Sequence, residues 1–337
     1  MTTLHTTNGD GAANVLKASG LDGDVLPWRD PMHHGPFPAD SDLDAVGEMR
    51  ARYLAGTPDA YDEVARSFRL RDAHLKAANR YDEVVLWFEH DLLDQLQILQ
   101  LLDWFSGAER RAAKLSMICI DRFPGVEPFR GLGQLNPEQM AGLYETRQAV
   151  TREQFRVAID GWAAFRSSDP AALETFIAED LTSLPFLRAA LERHLEEYPW
   201  TIDGLTRSER QLLKLVSQGV RSPGELFALN MDCETVFFEG NLRLFKHIAD
   251  LCDAPAPLLK SEPHGTFRYP PMVAIAHADL LGQRLHLTST GEQALAGALR
   301  PSSVMKRDDW LGGVHLLSGQ AMWMWNPDSK KIQLMPN

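Results

Sequence analysis

Cysteine is scarce in this chain: three residues in 337, Cys119, Cys233 and Cys252, far apart and odd in number. That excludes a disulfide framework, and the lack of any Cys-x-x-Cys removes the usual zinc spacing. All three read as reduced, partly buried thiols. No apolar run approaches the roughly 18 residues a membrane helix needs. Met1-Thr2-Thr3-Leu4-His5 offers no basic segment before an apolar core, so no signal peptide is expected. Gly-x-Ser-x-Gly, a Walker-type loop, Gly-x-Gly-x-x-Gly and His-x-x-x-His are all missing, so no ready-made hydrolase, phosphate-loop, dinucleotide or metal-site motif applies. Excess positive charge is missing too. The net charge of -12 and pI of 5.4 favour a soluble, cytoplasmic protein. They argue against wholesale coating of nucleic acid or an anionic membrane.

What is present begins with residues 84–88, Val-Val-Leu-Trp-Phe, an apolar run suited to a strand buried on both faces. It stops at Glu89-His90-Asp91, and an amphipathic helix over 91–105 follows. In open α/β sheets, ligands bind beyond the carboxyl ends of the strands, where these three ionisable residues would sit. Earlier, residues 4–7 form a second strand candidate that ends at Asn8-Gly9-Asp10-Gly11 before a helix over 12–18. Such a turn leaves backbone N–H groups free for an anionic group, or is a plain turn with an Asp cap.

A proline-rich connection over 24–38 carries Trp28, Arg29, Asp30, His33 and His34. It reads either as a packing anchor with an Arg29–Asp30 pair or as part of a site. Helices are expected over 42–54 and 59–78, and a third strand over 114–121. The order strand, helices, strand, helix, strand argues a small parallel, Rossmann-like sheet in an α/β domain spanning 1–125.

Four helices over 137–148, 152–165, 170–179 and 184–197 suggest a helical linker domain at 126–200, with His194 on its solvent side. Residues 201–300 differ. Thr206 and Glu209 form a capping box, short and long helices follow at 223 and 234–251, and a strand at 284–287 precedes a capped helix. This mainly α half resembles a winged helix. The tail, 301–337, reads as a terminal β-hairpin pairing 310–317 with 321–325.

If the first and central strands are neighbours, their ends converge. The candidate catalytic residues are then His90, Glu89, His34 and Asp10, and the candidate ligand-binding residues Asn8, Gly9, Arg29, Asp30 and Asp91. An imidazole near a carboxylate moves protons near neutral pH, and an arginine grips phosphate or carboxylate through two hydrogen bonds. Oxygen ligands with one histidine suit a divalent metal as cofactor. The expected partner is a small anionic ligand, a nucleotide or other phosphorylated molecule, bound by an enzyme or a ligand sensor. A DNA-binding regulator and a protein-contact scaffold are the alternatives. For DNA, Arg207, Arg210, Lys214, Arg221, Arg243 and Lys246 are the cations on offer.

Leu4-His5-Thr6-Thr7-Asn8-Gly9-Asp10, Trp28-Arg29-Asp30, His34-Gly35-Pro36 and Leu86-Trp87-Phe88-Glu89-His90-Asp91 together resemble a bacterial family of domains of unknown function, number eighteen thirty-five in that series. Leu205-Thr206-Arg207-Ser208-Glu209-Arg210 and Trp310-Leu311-Gly312-Gly313-Val314-His315 are similar to the C-terminal half of the same proteins. The family pattern has one histidine before Gly-Pro, at His34, which makes His33 the extra one. The resemblance implies no reaction; a transcription-related role is implied by analogy alone.

Overall fold

The computed structural model describes residues 2–107, 114–235, 238–270, 276–299 and 305–336. The chain divides into two compact units: Met1–Leu191 with Gly312–Val314, and Glu192–Leu311 with His315–Asn337.

Unit 1 is built on a five-stranded sheet. Its strands are β1 (Thr3–Thr7), β2 (Asp24–Pro27), β4 (Glu83–Glu89), β5 (Leu115–Ile120) and β6 (Gln148–Ala149), in the order β2-β1-β4-β5-β6. The first four neighbours run parallel, and β6 closes the β5 edge antiparallel, a mixed edge the sequence does not announce. All seven residues of β4 are buried, as expected of a central strand. Val85 and Trp87 share one face with Ala12, Leu16, Ile118, Leu132 and Met140. By alternation, Val84, Leu86 and Phe88 face the opposite layer. A two-residue β3 (Gly35–Pro36) lies in the proline-rich connection.

The helices of this unit start where their caps dictate. Helix α1 (Asp10–Ala18) follows Gly9 and has no side-chain cap. Asp42 accepts from Ala45 N–H to start α2 (Leu43–Ala55), and Pro58 opens α3 (Pro58–Lys76). Asp91 caps α4 (Leu92–Ser106), of whose fifteen residues twelve are buried. Capping boxes open α5 (Pro137–Leu143) and α6 (Arg152–Phe165), and α7 (Ala171–Ile177) follows Pro170. Helix α8 (Leu187–Leu195) begins in unit 1 and ends in unit 2.

The expected boundary at residue 125 is not a boundary of the compact unit. β6 completes the sheet and the apolar face of α6 packs on α4, so residues up to Leu191 share the core of unit 1. Gly312–Val314 belong here as well: Phe37 N–H donates to Gly312 O at 2.9 Å and Gly313 N–H to Phe165 O at 3.0 Å.

Unit 2 holds α9 (Arg207–Ser217), α10 (Pro223–Asp232), α11 (Asn241–Asp253) and the antiparallel pair β7 (Leu259–Glu262) and β8 (Arg284–Leu287). Between these two strands lies α12 (His277–Gly282), and α13 (Ser289–Leu295) follows β8. They enclose a core that includes Leu212, Val216, Leu244, Ile248, Phe267 and Leu285. The Thr206–Glu209 capping box is present. The long helix starts at Asn241, seven residues later than 234, and Glu234 lies outside it, paired with Arg193 in the interior. The tail is segmented differently from expectation. Strands β9 (Asp308–Gly312) and β10 (Val314–Leu317) are divided at Gly313, and β11 (Met322–Asn326) pairs with β12 (Lys331–Met335), not with 310–317. Among the described residues no helix is long and apolar enough to cross a membrane.

Candidate functional site

The parallel register of β1 and β4, Thr3↔Glu83 to Thr7↔Trp87, sets their carboxyl ends side by side. β1 continues into Asn8 and Gly9 before α1, and β4 continues through Glu89 and His90 to the Asp91 cap of α4. Three carboxylates meet at this edge. One oxygen of each of Glu89, Asp91 and Asp94 lies within 4.8 Å of the others. Their residues are 3%, 4% and 0% exposed.

Backbone amides aim all three. Leu132 N–H donates to Glu89 Oε1. Asp94 N–H donates to Asp91 Oδ1 at 2.9 Å, and Glu89 N–H donates to Asp94 Oδ2 at 2.6 Å. Asp94 Oδ1 is buried and has no hydrogen-bond partner among the described residues. The Asn8 side chain, arriving from β1, lies against both Glu89 and Asp94. Gly131, at φ +141°, makes the approach of Leu132 sterically feasible, since a Cβ there would stand 2.6 Å from Glu89 Oε2.

Burial is the first cause of what these groups do electrostatically. It pushes Glu89 up to about 8, with the Asp91 charge adding and Leu132 N–H and Asn8 opposing. It pushes Asp91 up to about 6 against the amides of Asp94 and Leu93. Asp94 is driven well above the carboxylate range by burial, then by Asp91 and Glu89. No arginine, lysine or histidine among the described residues contributes to any of the three. Such a cluster either keeps protons or takes up a cation.

The other sequence candidates have different neighbours. Arg29 grips both oxygens of Asp10 through Nε and Nη2 at 2.7–2.9 Å, on the surface. That pair holds Asp10 below the usual range. No side chain caps the N-terminus of α1; nothing lies within 4 Å of where a Gly9 Cβ would be, while Gly133 comes close to Gly11 and Ala12 of the first turn. His90 is half-buried between Phe129 and Phe186, with ring centroids 6.5 and 6.2 Å away. It bonds the Ile120 carbonyl and faces Asp121, while burial lowers its pKa. Asp10 and His90 share none of these neighbours, and it is the Asn8 side chain that carries the β1 end to the β4 carboxylates Glu89 and Asp94.

Asp30 is sealed in the interior. Arg50 of α2 bonds its Oδ1 through Nη2 at 2.6 Å and Nε at 3.0 Å, and Arg71 Nη1 of α3 stands 3.6 Å from Oδ2. The His34 carbonyl accepts from Arg50 Nη1 at 2.6 Å, and its ring packs on His33 and Tyr53. Trp28 is the anchor of this segment: its Nε1 donates to Gln100 Oε1 at 3.0 Å, and the Arg71 guanidinium lies 4.0 Å from its ring centre. Asp30 thus belongs to a buried ion network that holds the proline-rich connection against α2 and α3, which corrects its assignment as a ligand-binding residue, and His34 joins that network through its backbone carbonyl alone.

Asp94 is the residue sequence reasoning undervalued. Three positions past Asp91 at a helix start, it reads as one more carboxylate complementing the helix dipole. Its back-bond to Glu89 N–H is what turns it into the cluster.

In unit 2 the cations offered to phosphate are largely consumed. Arg207 pairs with Glu196 and Glu234, Arg210 with Asp203, Lys246 with Asp250 and Arg243 with Asp309.

No family model matches the chain, and no curated protein matches it. Among solved structures, the DNA-binding, cleavage and re-ligation domain of Plasmodium falciparum topoisomerase II is similar, with a TM-score of 0.45 and 10% identity. The match covers 100% of this chain and 54% of that chain, so this chain spans about half the length of that structure. At that score and identity the likeness assigns neither fold nor activity.

Proposed function

We propose that unit 1 is an enzyme or ligand sensor that binds a small anionic molecule, a nucleotide or other phosphorylated compound, at the joined carboxyl ends of β1 and β4. One observation carries the reading. Asn8, which lies against Glu89 and Asp94, is followed directly by the uncapped N-terminus of α1, with the guanidinium of Arg29 exposed beside it. Amides at a helix start together with an arginine make a cradle for phosphate oxygens. Arg29 turns from Asp10 to the anion, and His90, faced by Asp121, is the group placed to move a proton.

The test is calorimetric titration of inorganic phosphate and a nucleoside monophosphate into wild-type and Arg29→Ala protein. Binding that weakens at least tenfold in the variant supports the reading. Equal binding, or none in either protein, removes it.

The second reading is a nucleic-acid role for unit 2. The order α9, α10, α11, β7, β8 supports a winged-helix-like module. The pairing of Arg207, Arg210, Arg243 and Lys246 with carboxylates ranks it below the first, because a DNA reader releases counterions with free cations. A gel shift that survives moderate salt would reverse that order. Membership in the family of unknown function resembled above is likewise proposed on its motifs.

A further inference from the structure

We infer that Glu89, Asp91 and Asp94 form a binding site for one divalent cation of the hard, oxygen-seeking class. The inference deepens the anion-site reading by giving the bound anion a counter-charge, but the cation site stands on its own residues. Three features support it beyond the presence of acids. Each carboxylate has an oxygen held by a backbone amide, which fixes the direction of the group. Asp94, wholly buried, has in Oδ1 an oxygen with no partner among the described residues. The three contributed oxygens lie within 4.8 Å of one another.

Geometry and chemistry narrow the ion. Oxygens about 2.3–2.6 Å from a calcium ion stand at most about 5 Å apart, and those around magnesium at about 2.1 Å stand at most about 4.2 Å apart. A separation of at most 4.8 Å lies within the reach of calcium, and the smaller manganese and magnesium ions draw the same oxygens closer together. Neither imidazole nor thiolate joins the set, so zinc and copper are not the ions it selects. The Asn8 side-chain amide donates to Glu89 and Asp94, which orients two of the ligands without adding negative charge.

The test uses the full chain, stripped by chelation and held in a buffer free of phosphate. Mn2+ is titrated and the free ion followed by electron paramagnetic resonance. The expected result is one ion per chain. Affinity should fall at least tenfold in Asp94→Asn and Glu89→Gln and stay unchanged in Asp10→Asn, with Ca2+ competing. Binding of no ion, or binding that is equal in all four proteins, overturns the proposal. Should a variant fail to fold, wild-type amide spectra decide: Mn2+ must broaden the signals of Asn8 and Leu132 first, and broadening that starts elsewhere overturns it. Because no anion is present, loss of phosphate binding in the calorimetric test and loss of the cation here are separate failures.

Discussion

Glu83 and Glu89 stand at opposite ends of β4, both buried, and only one of them has a counter-charge. Glu83 Oε1 accepts from Ser116 Oγ at 2.7 Å and pairs with Lys114 at 2.9 Å and Arg147 at 3.1 Å. Burial works against its charge, but the three hydrogen bonds win and its pKa is lowered. Glu89 has two backbone or amide contacts and an acidic neighbour, and is pushed up to about 8. One strand therefore carries a finished structural ion pair at its amino end and an uncompensated acid at its carboxyl end. The amino end is scaffold; the carboxyl end awaits a partner.

The two ends should respond oppositely to amide substitution. Glu83→Gln weakens Lys114 and Arg147 pairing, and should cost about 1–3 kcal/mol in urea unfolding. Glu89→Gln removes an acid that burial disfavours when charged, and should leave stability equal or raised in cation-free buffer at neutral pH.

The same asymmetry fixes a pH dependence. The Glu89 pKa is raised on folding, so its stabilising contribution is complete below the unfolded value of 4.5 and is lost as pH rises through about 8. Cation-free wild-type protein should lose several degrees of Tm between pH 5 and 8. Glu89→Gln should flatten that slope, and a saturating divalent cation should offset it. An unchanged slope in the variant would assign the pH dependence to other groups.

His194 sets the opposite slope in unit 2. It is 1% exposed, not on the solvent side as its neighbours Glu192 and Arg193 suggest, and burial lowers its pKa to about 4. A depressed histidine contributes stability present above its unfolded value of 6.5 and lost as pH falls through about 4. The unfolding free energy should drop by about 3 kcal/mol over that window, at 1.36 kcal/mol per unit. His194→Gln should remove most of the drop, measured by urea midpoints at pH 7 and pH 4.

The Asp30–Arg50 pair is fully buried, and removing one partner strands the other. Asp30→Ala should cost about 3–5 kcal/mol. By contrast, Arg29 and Asp10 are 49% and 60% exposed, so Arg29→Ala should cost under about 1 kcal/mol. Chemical denaturation of both variants checks the contrast, and it establishes that Arg29→Ala protein is folded when its ligand binding is measured.

Periodicity and termination signals were enough to read β1, β4, β5, α4 and the Glu89-His90-Asp91 edge from the residues alone. A short apolar run rich in β-branched and aromatic residues that ends at three ionisable ones suits a buried strand, and Asp91 before Leu92-Leu93 is a strong helix start. What escaped depends on pairings distant in sequence. Arg50 and Arg71 look like solvated helix cations until Asp30, 20 and 41 positions earlier, meets them in the interior. His194 looks exposed because Arg193 beside it is charged, yet Arg193 is itself buried between Glu197 and Glu234. Local pattern predicts which face is polar; it does not predict that a polar face will be covered. The site suffered the same limit: Asp10 and Asn8 are equally polar residues at a strand end, and only the fold sends Asn8 inward and leaves Asp10 at the surface with Arg29.

The most direct measurement is anomalous diffraction from crystals of the full chain soaked in Mn2+ with inorganic phosphate. The account predicts one strong manganese peak bounded by Glu89, Asp91 and Asp94, with phosphate density between it and the N-terminus of α1. A carboxylate cluster without a manganese peak, its oxygens still held by Leu132, Asp94 and Glu89 amides alone, would contradict it.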